Sequence, residues 1–187
     1  SRSIKCYYVH GDCPMSTLSV DTIQGKTTAG TVAMPAGHVI QTLQALKTDV
    51  FSTSSTSFVD VTGLSVNITP KFSTSKIFVQ FCVAVGHNAD TQQTLQLVRQ
   101  VSSSDTIINP VAYNQGTSIS YIGSSDKNWD RDVMFYQVLD APSTTSTVNY
   151  RLRTYIYNSS YVQYVNRMEN SANATGTSTL TVQEISQ

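Results

Sequence analysis

Two strand-like segments joined by polar turns decide the fold, in the stretch from Thr48 to Val85, TDVFSTSSTSFVDVTGLSVNITPKFSTSKIFVQFCVAV. Apolar side chains alternate through residues 57–68, where Gly63 allows a bulge, and Pro70 ends the strand. Residues 76–85 are apolar at nearly every position, which predicts a strand covered on both faces. No catalytic motif interrupts the stretch, so we interpret it as the scaffold of a β-sandwich.

Further strand-like segments follow before and after this stretch. They span residues 38–46, 94–101, 118–122, 131–139, 148–157, 161–165 and 177–185. Only residues 91–100 (TQQTLQLVRQ) have an apolar spacing that also fits a helix. Strands spaced about 10 to 15 residues apart without helices predict an antiparallel, jelly-roll-like β-sandwich. We therefore expect an all-β domain of about eight strands over residues 38–187.

The residues before this domain are predicted to form an extended N-terminal arm, residues 1–37. They hold too few apolar side chains to build a core of their own, but those side chains are regularly spaced. This spacing favours burial against another chain over disorder. We expect an oligomerisation or docking arm whose contacts come from Leu18, Val20, Ile23, Val32 and Met34.

The chain carries few charges and no net charge. Charged residues make up 13% of the sequence, about half the usual fraction, and Ser and Thr take their places. Lys and Arg number 12, as do Asp and Glu, so nucleic acid is not an expected partner, because phosphate binding needs clustered positive charge. No apolar run approaches the about 18 residues of a transmembrane helix. A net charge of zero lowers the solubility of a free monomer and is better tolerated in an assembled protein.

No sequence pattern indicates a catalytic or cofactor site. The three histidines lie in no metal-ligand spacing, and no nucleophile elbow, P-loop or dinucleotide glycine pattern occurs. We therefore predict that the chain is not an enzyme and needs no cofactor. Cys82 lies in an apolar strand and is predicted to be a buried thiol. Cys6 and Cys13 are close enough in sequence to pair, and the sequence leaves this pairing open.

The segment from Asp126 to Asp132 (DKNWDRD) comes nearest to a metal site. Oxygen-bearing side chains at every second residue resemble a calcium loop. However, Arg131 stands where the glycine of the sharp turn belongs, and Gln137 stands where the bidentate Glu belongs. A solvated loop, in which basic side chains balance the acids, is therefore the favoured interpretation.

Five aromatic residues in or beside loops and polar strands are candidates for contact with a ligand or receptor. They are Tyr113, Tyr121, Trp129, Tyr161 and Tyr164. Amphipathic rings that are not needed for a core suit contact with carbohydrate or protein. The alternative is that tyrosine is simply favoured on strand surfaces, and the chain contains 10 tyrosines.

Three segments carry a resemblance to virion structural and tail-fibre-like proteins of tailed bacteriophages, especially marine and cyanophage-like ones. The opening MSTLSVDTIQGKTTAGTV resembles the short segment with which many of those proteins begin. The run from Gly37 to Val85 is similar to a domain of the same proteins, and STLTVQEI near the C-terminus is similar to their last strand. Residues 1–14 lie outside the resemblance.

The resemblance implies a non-enzymatic component of the virion surface. It implies a fibre, spike or capsid-surface protein whose partners are further copies in a homotrimer and other virion proteins. A host surface glycan is a further candidate partner. A carbohydrate-binding module outside any virus is the second functional hypothesis. An enzyme acting on sugar polymers is the third, and it lacks a catalytic constellation in the sequence.

Overall fold

The computed structural model describes residues 35–87, 91–108, 116–122, 131–168 and 171–187, which belong to one compact unit, Met34–Gln187. Within these ranges the regular structure is entirely β. The strands are β1 (Val39–Lys47), β2 (Phe51–Thr53), β3 (Val59–Ile68), β4 (Lys76–His87), β5 (Thr91–Val101), β6 (Ser104–Ile107), β7 (Ser118–Ile122), β8 (Arg131–Asp140), β9 (Val148–Ile156), β10 (Gln163–Val165), β11 (Arg167–Met168), β12 (Ser171–Thr175) and β13 (Ser178–Ile185). None of the described residues forms a helix that could span a membrane.

The strands form two antiparallel sheets, each four strand positions wide. Sheet A has the order β1–β13–β4–β8. Past the stretch that pairs with β13, the last residues of β4, Val85–His87, pair with β10, which in turn pairs with β2. Sheet B has the order β3–β9–β5, and both β6 and β7 pair with the far edge of β5. The two-residue strand β11 pairs separately with β12.

The order of pairing is nested along the chain. The first strand pairs with the last, β1 with β13, and inside this pair β3 joins β9 and β4 joins β8. The innermost strand, β5, pairs with β6 and β7, which follow it directly. In addition β13 lies beside β4, and β9 lies beside β5. This arrangement is that of a double-sheet jelly roll, so the predicted fold class is confirmed.

The core lies between the two sheets and is built by alternate residues of each strand. Sheet A contributes Ile77, Val79, Phe81 and Val83 from β4, all with no exposed surface. Sheet B contributes Leu95 and Leu97 from β5 and Val148, Tyr150 and Leu152 from β9, also without exposure. Each such aliphatic or aromatic side chain stabilises the fold by about 1.5–3 kcal/mol through burial.

A bulge bends β3, as the sequence predicts. Gly63 has a φ of +88°, and the register of β3 with β9 shifts between Asp60 and Ser65. The positive φ is a conformation that glycine adopts without steric cost. The bulge keeps Val61 and Leu64 both in the core, with 2% and 0% of their surfaces exposed.

The prediction that residues 76–85 are covered on both faces is wrong for the single chain. The inward side chains of β4 are buried, but the outward Phe78, Gln80 and Cys82 remain partly exposed. Cys82 is a free cysteine of intermediate exposure, so the prediction of a buried thiol is also wrong. The reason is architectural, because sheet A packs only its inner face against sheet B.

Candidate interaction surface

The outer face of sheet A carries no charge across its central part. We call it the uncharged face, and it comprises Thr42, Gln44 and Leu46 of β1, Thr179, Thr181 and Gln183 of β13, Phe78, Gln80, Cys82 and Ala84 of β4, and Val133, Phe135, Gln137 and Leu139 of β8. The pairing registers place these side chains in transverse rows, one of which runs Leu46, Thr179, Cys82, Phe135. Lys76 of β4 lies at one end of the face.

The apolar members of the uncharged face are concentrated on β8. The exposed fractions of Val133, Phe135 and Leu139 are 54%, 51% and 49%, and that of Leu46 on the opposite edge strand is 60%. Single exposed apolar side chains are ordinary, but several on one sheet face form a patch. Such a patch is typical of a surface that contacts another protein.

The polar members of the uncharged face bond to one another across the strands. The amide of Gln44 donates to the hydroxyl of Thr181 over 2.8 Å. The amide of Gln183 donates to the hydroxyl of Thr42 over 3.2 Å. These bonds satisfy polar groups internally, which lowers the cost of removing this part of the face from water.

The outer face of sheet B is charged by contrast. Asp60 Oδ1 accepts from Nε of Arg151 over 3.1 Å and from Nε of Arg153 over 2.8 Å. Asp105 Oδ2 accepts from Nη2 of the same two arginines over 2.6 and 2.7 Å. We call these four residues the ion network, and it connects β3, β9 and β6.

The ion network changes the proton affinity of two of its members. Partial burial raises the pKa of Asp105, but hydrogen bonds from Arg151 and Gln100 and the charges of Arg151 and Arg153 outweigh it, so the pKa is lowered from 3.8. Burial likewise lowers the pKa of the Arg153 guanidinium, but the hydrogen bonds and charges of Asp60 and Asp105 raise it overall. Both residues are therefore held in their charged forms.

A second ion pair joins the two sheets inside one end of the sandwich. Nη1 of Arg99 donates to Oδ1 and Oδ2 of Asp140 over 2.8 and 3.0 Å. The phenol of Tyr150 donates to Asp140 Oδ2 over 2.7 Å. Burial, and then this bond, raise the pKa of Tyr150. Because each group has a partner within the fold, the arrangement suits a structural clamp rather than a catalytic acid or base.

Asn166 is the hub of a third polar cluster. Its side-chain amide donates to the backbone oxygens of Lys47 and Asp49 over 2.9 and 3.1 Å, and its Oδ1 accepts from the hydroxyl of Ser178 over 2.6 Å. Its backbone N–H donates to Ala84 O over 2.8 Å. The residue is fully buried and has a φ of 64°, which asparagine tolerates better than most residues.

The predicted aromatic contacts lie partly within the described chain. Tyr161 and Tyr164 are both partly exposed and belong to one segment, residues 157–168. The guanidinium of Arg167 lies 4.8 Å from the ring centroid of Tyr164, within cation–π range. The same segment adds Tyr157, which is 73% exposed and which sequence reasoning did not select.

The other predicted site residues fall outside what the structure describes. This applies to Tyr113, Trp129 and the side chain of Tyr121, whose backbone lies in β7. It also applies to the arm contacts Leu18, Val20, Ile23, Val32 and Met34, to Cys6 and Cys13, and to most of the calcium-like segment. Among the residues that are described, no group of three or more His, Cys, Asp or Glu side chains could hold a metal ion.

The apolar residues of β8 are the main feature that sequence reasoning missed. The sequence predicts a strand that includes VMFYQVL (residues 133–139), but it does not mark the alternate side chains of this segment as a surface. All seven residues are uncharged, so nothing in the segment itself marks which face is inward. The topology decides this, because Met134 pairs opposite Val83 on the core side.

Comparisons with known proteins find similarity at the level of structure. No protein-family model matches the chain, and no curated protein sequence matches it. The Eiger TNF from S. frugiperda has a TM-score of 0.41 and 8% identity, over 77% of this chain and 92% of that one. The infectious bursal disease virus Gx strain has a TM-score of 0.38 and 11% identity, over 93% of this chain and 43% of that one. The VP2 subviral particle of the same virus has a TM-score of 0.36 and 14% identity, over 91% of this chain and 42% of that one. The chain thus spans less than half of the two virus chains.

Proposed function

We propose that this chain is a non-enzymatic structural protein of a virus particle, located on the virion surface. The observation that carries the proposal is the uncharged face, because a freely soluble protein seldom leaves a patch of this composition open to water. The jelly roll supplies a rigid support for such a surface. The described polar clusters fit this role, because the ion network, the Arg99–Asp140 pair and the Asn166 hub all bond groups within the fold.

The sequence resemblance refines the proposal to a tailed bacteriophage. The chain would then be a fibre, spike or capsid-surface component, assembled as a homotrimer and projecting its sandwich for attachment or particle stabilisation. Its N-terminal arm would dock it to other virion proteins. Several copies held together give avidity, so each individual contact with a host surface can be weak.

Analysis of purified particles of the encoding virus tests this proposal. We expect mass spectrometry to find the chain in the particles, and an antibody against residues 35–187 to label intact particles in electron micrographs. Label at the end of a projection would assign a fibre or spike, and label over the shell would assign a capsid-surface protein. Absence of the chain from the particles would contradict the proposal.

A carbohydrate-binding module is the second candidate function. It is favoured by the grouping of Tyr157, Tyr161 and Tyr164 in one segment at the surface, because exposed rings stack on sugars. A glycan array probed with the full chain separates the two functions, with Trp129→Ala as the comparison. Strong binding to one glycan class by a chain that is absent from particles would favour the module.

A further inference from the structure

We propose that the uncharged face of sheet A is the surface through which copies of this chain associate with one another, with β8 at the contact. The inference rests on the proposed function as an assembled protein and names the surface that assembly uses. Its occupant is a second copy of the same chain. The argument has three steps, which concern β4, β8 and the identity of the occupant.

The first step is that β4 has a more apolar sequence than its burial in the single chain explains. Its inward residues are apolar, and of its outward residues Phe78, Cys82 and Ala84 are apolar as well, while Lys76 and Gln80 are polar. A strand of this composition is typical of a sheet covered on both sides. In the single chain the inner side and the outward Ala84 are buried, while the outward Phe78 and Cys82 stay partly exposed. A second layer of protein over the outer side would bury these outward apolar side chains as well.

The second step is the state of β8 as an edge strand. It pairs with β4 over ten residues without a register shift, and no described strand pairs with its other edge. Natural edge strands are usually protected by lysine, proline or a bulge. Residues 133–139 contain none of these, and their outward side chains are Val133, Phe135, Gln137 and Leu139. Charged residues flank this run, with Asp132 Oδ1 accepting from Val133 N over 2.7 Å at one end and Asp140 at the other. Between them, a regular uncharged run of seven residues beside an apolar patch is suited to contact with protein.

The third step identifies the occupant. A charged partner would lose hydration of its charges against this face and would find no opposite charge to compensate. The outer face of sheet B does not fit, because the ion network lies on it. Within the described chain, the uncharged face is itself a matching uncharged surface, and every further copy supplies it. A second β8 would also supply backbone donors and acceptors along the edge of β8 that no described strand occupies.

The test compares single variants of the full chain by sedimentation velocity over a range of concentrations. We expect the unaltered chain to self-associate. We expect Phe135→Glu to raise the dissociation constant at least about tenfold, because a carboxylate at the centre of an apolar contact loses its hydration without a partner. Leu139→Glu is the second variant, and both positions are about half exposed in the single chain, so each substitution is compatible with folding. Circular dichroism verifies that the fold is retained.

The control is Tyr157→Glu, which places the same charge at a residue that is 73% exposed but lies outside the face. It should leave the dissociation constant unchanged. A second readout is the reaction of Cys82 with a thiol reagent, in a chain whose Cys6 and Cys13 are replaced by serine. Because Cys82 lies next to Phe135 in the pairing of β4 with β8, assembly should slow the reaction, and Phe135→Glu should restore it.

The possible failures are distinguishable. A chain that remains monomeric at all concentrations overturns the inference. So does an oligomer that neither Phe135→Glu nor Leu139→Glu weakens and in which Cys82 reacts as quickly as in the monomer. In both cases the particle analysis still decides the proposed function. Conversely, association through the face by a chain that is absent from particles would retain the inference and contradict the virion role.

Discussion

At the scale of single residues, Asn166 connects more parts of the fold than its sequence context suggests. Its side chain and backbone bond to residues at the end of β1, in β4 and in β13. Nothing in the local sequence YVNRM marks this asparagine, because its partners lie 12 to 119 positions away. Which distant groups form hydrogen bonds with a buried polar side chain is decided by the tertiary structure and not by the neighbouring residues.

Replacing Asn166 by alanine should destabilise the protein by about 2–4 kcal/mol, since buried acceptors lose their donors and alanine is strained at this φ. Urea denaturation measures the change. Asn166→Gly should recover the backbone part of the loss, because glycine adopts a positive φ freely. Asn158→Ala is the matched control: Asn158 Oδ1 accepts one bond from Ser160 N in an exposed turn. If Asn166→Ala lost no more unfolding free energy than Asn158→Ala, the role of Asn166 as a hub would be contradicted.

Gly86 is required by a close approach of backbone and not by its dihedral angles. A Cβ built on Gly86 would overlap the backbone oxygen of Arg167. Gly86→Ala should therefore lower the free energy of unfolding by about 2–3 kcal/mol, because the backbone of Arg167 beside β4 must move away. Gly37→Ala is the comparison, since its φ is +88° but nothing lies within 4 Å of the added Cβ, and it should cost about 1 kcal/mol. Thermal melting measures both variants. A smaller fall in melting temperature for Gly86→Ala than for Gly37→Ala would contradict this explanation.

At the scale of elements, the long strands could be predicted, whereas of the short ones β2, β6, β11 and β12 could not. The periodicity of β3 and the apolar run of β4 identify these strands, and the predicted bounds of β7 match the observed ones. The sequence does not predict β6, because the turn before it uses Ser102 and Ser103 with φ of 47° and 69°. Hairpin turns with two positive φ angles usually contain glycine or asparagine, so two serines give no turn signal.

The candidate surface was missed for a related reason. The strand β8 was predicted, but which of its faces is outward depends on its pairing with β4, and that pairing is not encoded locally. The ion network is also inaccessible to sequence reasoning, because the register of β3, β9 and β6 brings its members together. The sequence could show only that charged residues are few, and this agrees with the composition of the uncharged face.

The ion network should make the stability of sheet B depend on pH in the acid range. The pKa of Asp105 is lowered in the folded state, so its contribution is fully present above its ordinary pKa of 3.8 and is lost as pH falls through the lower folded value. The melting temperature should therefore fall as the pH drops below 3.8, and it should fall less in Asp105→Asn, which lacks the titrating group. Differential scanning calorimetry measures both. An equal fall in the two proteins would show that Asp105 does not contribute to the acid dependence.

At the scale of the whole molecule, residues 35–187 contain both sheets and the core. Pro35 and Gly37 bond to Ser186, with Gly37 N donating to Ser186 O over 2.9 Å and the Ser186 hydroxyl donating to Pro35 O. The division between arm and domain remains a prediction. So does the docking role of the arm.

A chain of residues 35–187 should keep the melting temperature of the full chain within a few degrees, because the described strands close the sandwich. It should also keep the number of copies per oligomer, since the uncharged face is intact, while losing binding to particles. Sedimentation and particle pull-down measure these quantities. A fall to monomer on removal of residues 1–34 would assign association to the arm, and loss of cooperative melting would show that the sandwich needs the arm to fold.

The position of β13 between β1 and β4 has a consequence for synthesis of the protein. Sheet A cannot close until residues 178–185 have left the ribosome, although β1 emerges well over a hundred residues earlier. Until then the facing edges of β1 and β4 lack their native partner. Nested pairing over such long separations gives a high contact order, which slows folding to milliseconds or seconds. Nascent chains therefore pass through a period in which chaperones, and other nascent chains, compete for the place that β13 later fills.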